Sequence, residues 1–201
     1  MILIINIIDV GLGNIRSIEH WLNRCNVFSR RVSIVSQFTD DAIIIPGVSS
    51  AGEFMRRLIN TGLDQEIINR SISGQKIIGI CLGFQILTNY SEEDYGVECL
   101  GLLNGQSIYL DNNETHNGWE KLSIDLRKVG DIANIKKRRK KIIDGRVYYN
   151  HELKVELDDK CFSNQLESGI TAFAFKNNIF GFQFHPEKSQ ETGRALIKAV
   201  L

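Results

Sequence analysis

KIIGICLGFQIL, residues 76–87, is an apolar run that ends in a glycine-flanked cysteine and continues as a helical pattern. The run at 76–80 is apolar on both faces, which is typical of a strand in a parallel sheet covered by helices. Cys81 follows it in the pattern G-x-C-x-G. A tight strand-to-helix turn of this kind exposes a nucleophile, and the glycines keep the neighbouring backbone from clashing. Taken alone, the pattern fits either a reactive thiol or an inert buried cysteine.

Two more apolar runs, at residues 2–8 and 42–45, also end in glycine-containing turns. Between the runs, apolar residues recur at three- and four-residue spacing, the mark of amphipathic helices. These residues are Ile15, Ile18, Leu22 and Cys25, then Phe54, Leu58 and Ile59. Alternation of strand and helix predicts an α/β sheet with right-handed crossovers.

The second half of the chain is richer in β patterns. Residues 169–176 and 179–185 are joined by Asn177-Asn178, which predicts a hairpin. Residues 191–201 predict a closing amphipathic helix that buries Ala195, Leu196 and Val200. No repeat and no Gly/Ser linker interrupts the chain, so we expect one domain over residues 1–201, with a mixed, largely parallel central sheet flanked by helices.

Composition limits the function. The 201 residues are 43% apolar and 24% charged, with zero net charge, which disfavours a general nucleic-acid binder. No run of about 18 apolar residues is present, so no membrane span is expected. The four cysteines are scattered, without zinc-ligand spacing, which predicts a reduced cytoplasmic protein without a structural metal site.

Residues 127–146 form a strongly basic segment, with nine basic and two acidic side chains. Such runs are usually solvated surface. The alternative is a docking patch for an acidic partner or a phosphorylated ligand.

A second group of chemically active residues follows the last predicted strand, at His185-Pro186-Glu187. Proline disfavours the helical region for the residue before it, so His185 is expected to be extended. In an extended chain Glu187 projects to the same side and can bond one ring nitrogen while the other faces Cys81. Cys81, His185 and Glu187 then form a nucleophile, a base and an orienting carboxylate for acyl transfer.

Several motifs together resemble the class I glutamine amidotransferases, and within them the glutaminase subunits of imidazole glycerol phosphate synthases. They are DVGLGN at 9–14, PGV at 46–48, GICLGFQ at 79–85, SEE at 91–93, NGW at 117–119 and QFHPEKS at 183–189. The similarity extends from the first strand to the last helix. It implies a flavodoxin-like α/β fold and a glutaminase that needs no cofactor.

The resemblance also implies a mechanism. Cys81 attacks the side-chain amide of L-glutamine, His185 moves the proton, and Glu187 orients His185. Backbone N–H groups of Val48 and Leu82 correspond to the family's oxyanion hole.

Other positions correspond to binding residues of the family. Gly47, Gln85 and Glu93 correspond to its glutamine-binding positions, and a carboxylate such as Glu93 suits an α-ammonium group. Asn14 and Trp119 correspond to the surface near the synthase subunit, a HisF-like cyclase barrel that receives the ammonia.

The sequence departs from the family at Val10, at Ser49 and at the run His151-Glu152-Leu153. These departures leave a second partner open, a sugar amidotransferase of bacterial surface-polysaccharide assembly. A stand-alone cysteine hydrolase and a non-catalytic regulatory module are two further hypotheses. Gln85 and Glu93 argue against the first of these, and the complete triad argues against the second.

Overall fold

A central β-sheet organises the molecule, a computed structural model that describes residues 3–126, 142–158 and 161–201. The helices are α1 (Ile15–Arg24), α2 (Ala51–Thr61), α3 (Leu63–Ile72), α4 (Leu82–Gln85) and α5 (Gln190–Val200). The strands are β1 (Ile4–Ile8), β2 (Phe28–Val32), β3 (Ile43–Ile45), β4 (Ile77–Ile80), β5 (Tyr90–Ser91), β6 (Val97–Glu98), β7 (Gly105–Tyr109), β8 (His116–Asp125), β9 (Ile142–His151), β10 (Leu153–Leu157), β11 (Phe162–Gln165), β12 (Thr171–Lys176) and β13 (Ile179–Phe182).

The central sheet has seven strands in the order β11-β12-β13-β4-β3-β1-β2. The five strands from β13 to β2 are parallel to one another. β12 pairs antiparallel with β13, and β11 pairs antiparallel with β12. The predicted mixed, largely parallel α/β sheet is therefore confirmed. So is the hairpin at Asn177-Asn178, where Asn177 adopts a φ of 55°, a left-handed conformation that asparagine tolerates.

Two apolar clusters cover the two faces of this sheet. One joins α1, α5 and the β8–β9 hairpin to side chains such as Ile78 and Ile80, and the other joins α2 and α3 to side chains such as Ile77. Burial on both faces explains why the strands are continuously apolar. Because both faces are covered, polar side chains can form a site at the carboxyl ends of β3 and β4.

Ala195 packs against the core as predicted, although it is only half-buried. Two local predictions need correction. Ile59 does not face the core but is 57% exposed on α2. The helical pattern after Cys81 gives a single turn, α4, which ends at Gln85. The carbonyls of Ile86 and Leu87 accept hydrogen bonds from residues 100–103 instead of continuing a helix, because the chain turns there toward the smaller sheet.

That smaller sheet has the order β10-β7-β5-β6, and β8 and β9 form a separate antiparallel pair. Of the basic segment at 127–146, residues 142–146 lie in β9, and residues 127–141 lie outside the described residues. The question whether that segment docks a partner therefore stays open. Within the described ranges, no helix has the length and apolar character needed to cross a bilayer.

Candidate active site

Cys81 sits on the turn between β4 and α4 in a strained backbone conformation, with φ 50° and ψ −107°. A non-glycine residue with positive φ is uncommon and at such a turn usually serves function. The backbone around it is packed too closely for side chains: a Cβ on Gly47 would overlap the Ile80 carbonyl, and one on Gly83 would overlap the Ile45 carbonyl. The glycines that the sequence displays are therefore required by the close approach of the β3 loop to the cysteine turn.

His185 and Glu187 form the hydrogen-bonded pair that the sequence predicts. The His185 Nδ1 and Glu187 Oε1 atoms are 2.7 Å apart, and both side chains are buried. His185 is extended, as expected, but Pro186–Lys188 forms a 3₁₀ turn. The carboxylate thus returns to the ring through a turn, and the expectation of an extended chain through Glu187 is wrong.

The electrostatics of His185 favour its protonated form. Burial by itself lowers the pKa of His185, but hydrogen bonds with Cys81 and Glu187 outweigh it and raise the pKa above its usual range. Gln183 also points its Nε2 donor at the Cys81 sulfur, at 3.9 Å. A proton on the imidazole and donors facing the sulfur are the conditions under which a cysteine reacts as thiolate.

Glu187 has a second anchor that sequence reasoning did not predict. The Asn14 Nδ2 group donates to Glu187 Oε1 at 2.6 Å, so Asn14 contacts the carboxylate that orients His185. Trp119, the other position expected near a partner, is 39% exposed on β8. Its ring meets the Tyr148 ring edge-on, with centroids 5.7 Å apart.

One cavity of about 280 Å³ brings the predicted substrate and oxyanion residues together. Its lining includes Gly47, Val48, Cys81, Leu82, Gln85, Glu93 and His185. Residues 150–153, Ser49 and Thr115 complete it. The sequence contained a signal for residues 151–153 and for Ser49 only as departures from the family pattern, and it contained none for Asn150 or Thr115.

Two side chains give this cavity its polarity. Glu93 accepts a hydrogen bond from the Ala51 N–H at 2.7 Å through Oε2. Burial raises the pKa of Glu93, and Asp94 and Glu152 add to the effect. Gln85 is buried and donates to the Leu153 carbonyl at 3.2 Å, so its amide nitrogen is already oriented.

Two residues of the cavity lining, Leu82 and Val48, carry the backbone N–H groups predicted for the oxyanion hole. Leu82 is the first residue of α4, and the first N–H groups of a helix have no intrahelical acceptor. Val48 lies in the same cavity lining and is 48% exposed. Over the described residues, no group of three His, Cys, Asp or Glu side chains is arranged to hold a metal ion.

Comparison with known proteins identifies the family and several relatives of this chain. The family described as "Glutamine amidotransferase class-I" matches residues 6–200. The chain is 35% identical to the imidazole glycerol phosphate synthase subunit HisH of Caldanaerobacter subterraneus subsp. tengcongensis, over 96% of this chain and 95% of that protein. It is 32% identical to the subunit of the same name from Bacillus subtilis, over 96% and 93%.

Solved structures agree on the fold. The structure titled "Structure of PurLQS from Thermotoga maritima" superposes with a TM-score of 0.77, 21% identity and coverage of 100% of this chain and 98% of that one. A second, titled "Crystal structure of glutamine amidotransferase", gives a TM-score of 0.75 at 14% identity, with 98% of each chain covered.

Proposed function

The chain belongs to the class-I glutamine amidotransferases, and we propose that it is the glutamine-hydrolysing subunit of an imidazole glycerol phosphate synthase. The observation that carries the proposal is that one cavity is lined by Cys81 and His185 together with Gln85 and Glu93. A nucleophile with its base suits the side-chain amide of L-glutamine, and a carboxylate with a further amide suits the rest of the substrate.

In the reaction we propose, the Cys81 thiolate attacks the carbon of the glutamine side-chain amide. The His185 imidazolium gives its proton to the leaving nitrogen, and ammonia departs from a glutamyl thioester. Neutral His185 then takes a proton from water, which attacks the thioester and releases glutamate. Glu187 holds the ring and stabilises the imidazolium throughout.

The N–H groups of Leu82 and Val48 are proposed to stabilise the oxyanion of both tetrahedral intermediates. One such donor lowers a barrier by about 3–4 kcal/mol. Glu93 is proposed to receive the substrate α-ammonium group, and Gly47 and Gln85 to line the path of the substrate chain.

The ammonia is proposed to pass to a separate cyclase subunit, because the relatives that cover almost the whole chain are named as subunits of a synthase. Trp119 is exposed beside Tyr148 and is the side chain that we assign to this interface. Asn14 is proposed to transmit docking to the triad through its hydrogen bond to Glu187. The four free cysteines agree with a reducing compartment, and we assign the protein to the cytoplasm.

The test is ammonia and glutamate release from L-glutamine by the purified chain, alone and with the cyclase subunit from the same organism. We expect slow hydrolysis alone and faster hydrolysis with the cyclase. Equal rates would contradict the proposed coupling, and no hydrolysis in either case would contradict the enzyme assignment. Activation by a sugar amidotransferase and not by the cyclase would replace the partner while keeping the chemistry.

A further inference from the structure

A chain of three polar side chains leads from the surface of the β8–β9 hairpin to the active-site cavity. His116 and His151 are direct cross-strand partners in this hairpin. The His116 Nδ1 and His151 Nε2 atoms are 2.9 Å apart, and the His116 Nε2 and Glu120 Oε1 atoms are 2.6 Å apart. The triad mechanism uses none of these three side chains.

The positions of the protons in this chain follow from its acceptors. The His151 Nδ1 atom lies 2.7 Å from the Leu153 carbonyl, which cannot donate, so Nδ1 carries a hydrogen. His151 Nε2 then serves as the acceptor for a hydrogen on His116 Nδ1. The other nitrogen of His116 faces the Glu120 carboxylate, also an acceptor. With both of its nitrogens facing acceptors, His116 needs two hydrogens and is an imidazolium.

The surroundings support this charge on His116 rather than on His151. The Tyr149 ring stacks on His116 with centroids 4.3 Å apart, a position in which an aromatic face attracts a cation. Gly118 lies directly opposite Tyr149 across the hairpin. His151 is 6% exposed, and burial, with His116 and His185 nearby, lowers its pKa to about 4.

Among the described residues, the titratable groups that act on the histidine pair come from three parts of the chain. Glu120 on β8 and Tyr149 on β9 contact His116, Tyr149 also contacts His151, and His185 acts on His151 electrostatically.

His151 connects His116 to the residues proposed to bind the substrate, because it belongs to the 150–153 segment of the cavity lining. The Leu153 carbonyl accepts from His151 and also from Gln85 Nε2. The Asn150 carbonyl lies 3.8 Å from the Cys81 sulfur. One short segment therefore contacts the nucleophile and a proposed substrate-binding residue, and its only side-chain tie toward the β8 strand in the described contacts is the His151–His116 bond.

We propose that His116 is a positioning residue for glutamine binding: as an imidazolium shared between Glu120 and His151, it holds the 150–153 segment against Gln85 and the cavity. The inference rests on the proposed function for its substrate and deepens it by adding a residue that sets KM. Loss of the Glu120 carboxylate weakens the hold on His116 and thereby loosens the segment. The backbone turn that holds Cys81 and the hydrogen bond between His185 and Glu187 do not involve His116, so we expect kcat to change less than KM.

The kinetic test compares Glu120→Gln with a matched control, Glu156→Gln, across pH 6–9. Glu156 is a similarly exposed carboxylate on β10 that lies outside the cavity lining. Glu120→Gln replaces the carboxylate that faces His116 Nε2 with a neutral amide. We therefore expect KM for glutamine at pH 8 to be about fivefold higher in E120Q than in the wild type, the scale of one hydrogen bond. The value of kcat should stay within about twofold, and E156Q should follow the wild type.

Superimposable KM profiles for E120Q and the wild type would overturn the proposal, and so would a loss confined to kcat. A second measurement does not depend on substrate: ¹⁵N NMR of the histidine rings at pH 7 should show two ring protons on His116 and one on His151. A single ring proton on His116 would overturn the proposal whatever the activity. A wild-type chain that hydrolyses no glutamine but shows two ring protons on His116 would contradict the proposed function and leave the proton arrangement intact.

Discussion

The two sides of the active-site cavity are built by different means. The nucleophile side is backbone: a strained cysteine turn pressed against the β3 loop, with glycines wherever a Cβ would overlap a carbonyl. The substrate side is a network of side chains, in which His151 and Gln85 both donate to the Leu153 carbonyl and His116 bonds His151. The difference predicts that changes on the first side act on folding or abolish chemistry, whereas changes on the second side act on affinity.

The largest effect is expected from the nucleophile itself. Cys81→Ala removes the only sulfur in the cavity lining, and loss of a nucleophile typically lowers kcat by about 10⁴- to 10⁶-fold. The side chain fills little space, so the unfolding midpoint in urea should stay close to that of the wild type. Steady-state ammonia release and urea titration measure the two quantities.

Cys99→Ser is the matched control for that variant. Burial, followed by Glu98 and Glu93, raises the pKa of Cys99 to about 12, so this thiol stays protonated and unreactive. A glutamine-like electrophile should accordingly label Cys81 and spare Cys99. Normal turnover in Cys81→Ala, or preferential labelling of Cys99, would contradict the assignment of the nucleophile.

The next largest effect concerns stability at the cysteine turn. In Gly83→Ala the new methyl overlaps the Ile45 carbonyl, which is backbone and cannot rotate away. We expect a loss of about 3 kcal/mol or more in the free energy of unfolding, at the upper end of overpacking effects. Urea denaturation provides the measurement.

Gly62→Ala serves as its control, because Gly62 has a φ of 69° but no neighbouring atom within 4 Å of the added Cβ. That substitution should cost only the conformational strain, about 1 kcal/mol. Equal losses for the two variants would mean that close packing does not distinguish the cysteine turn from an ordinary helix end.

The same difference explains what could be predicted from the sequence. Close backbone approaches require glycine, and glycine is visible in the sequence, so the turn at Cys81 could be predicted from residues 79–83. The apolar runs of β1, β3 and β4 were visible for a similar reason, since both of their faces are buried.

The substrate side could not be predicted in this way. The contact between His116 and His151 depends on the register of two ten-residue strands. Burial alternates along β8, but neither strand shows a clean alternation of apolar and polar residues in its sequence. The short length of α4 likewise depends on residues 100–103, in which backbone N–H groups donate to the carbonyls of Ile86 and Leu87 just after the helix, and which reach them only after the chain has turned. The carboxylate of Glu187 was correctly paired with His185, although the 3₁₀ turn that brings it there was not anticipated.

The smallest of the effects expected from Cys81, Gly83 and Glu93, and the one that tests the substrate side directly, is that of Glu93. Glu93→Gln keeps the shape of the side chain and its ability to accept from the Ala51 N–H, but removes the negative charge. A charge-assisted hydrogen bond contributes about 1.5–3 kcal/mol, so KM for glutamine should rise by about 10- to 100-fold with little change in kcat. The pH dependence of KM provides a second test of the same charge. Burial raises the pKa of Glu93. On acidification, the wild-type carboxylate is therefore neutralised at a higher pH than an ordinary glutamate. Wild-type KM should therefore rise on acidification from that higher pH onward, whereas KM of E93Q should be high and independent of pH in the same range. A fall in kcat with unchanged KM would place Glu93 with the reacting atoms, and the proposed separation between a backbone-built nucleophile side and a side-chain-built substrate side would not hold.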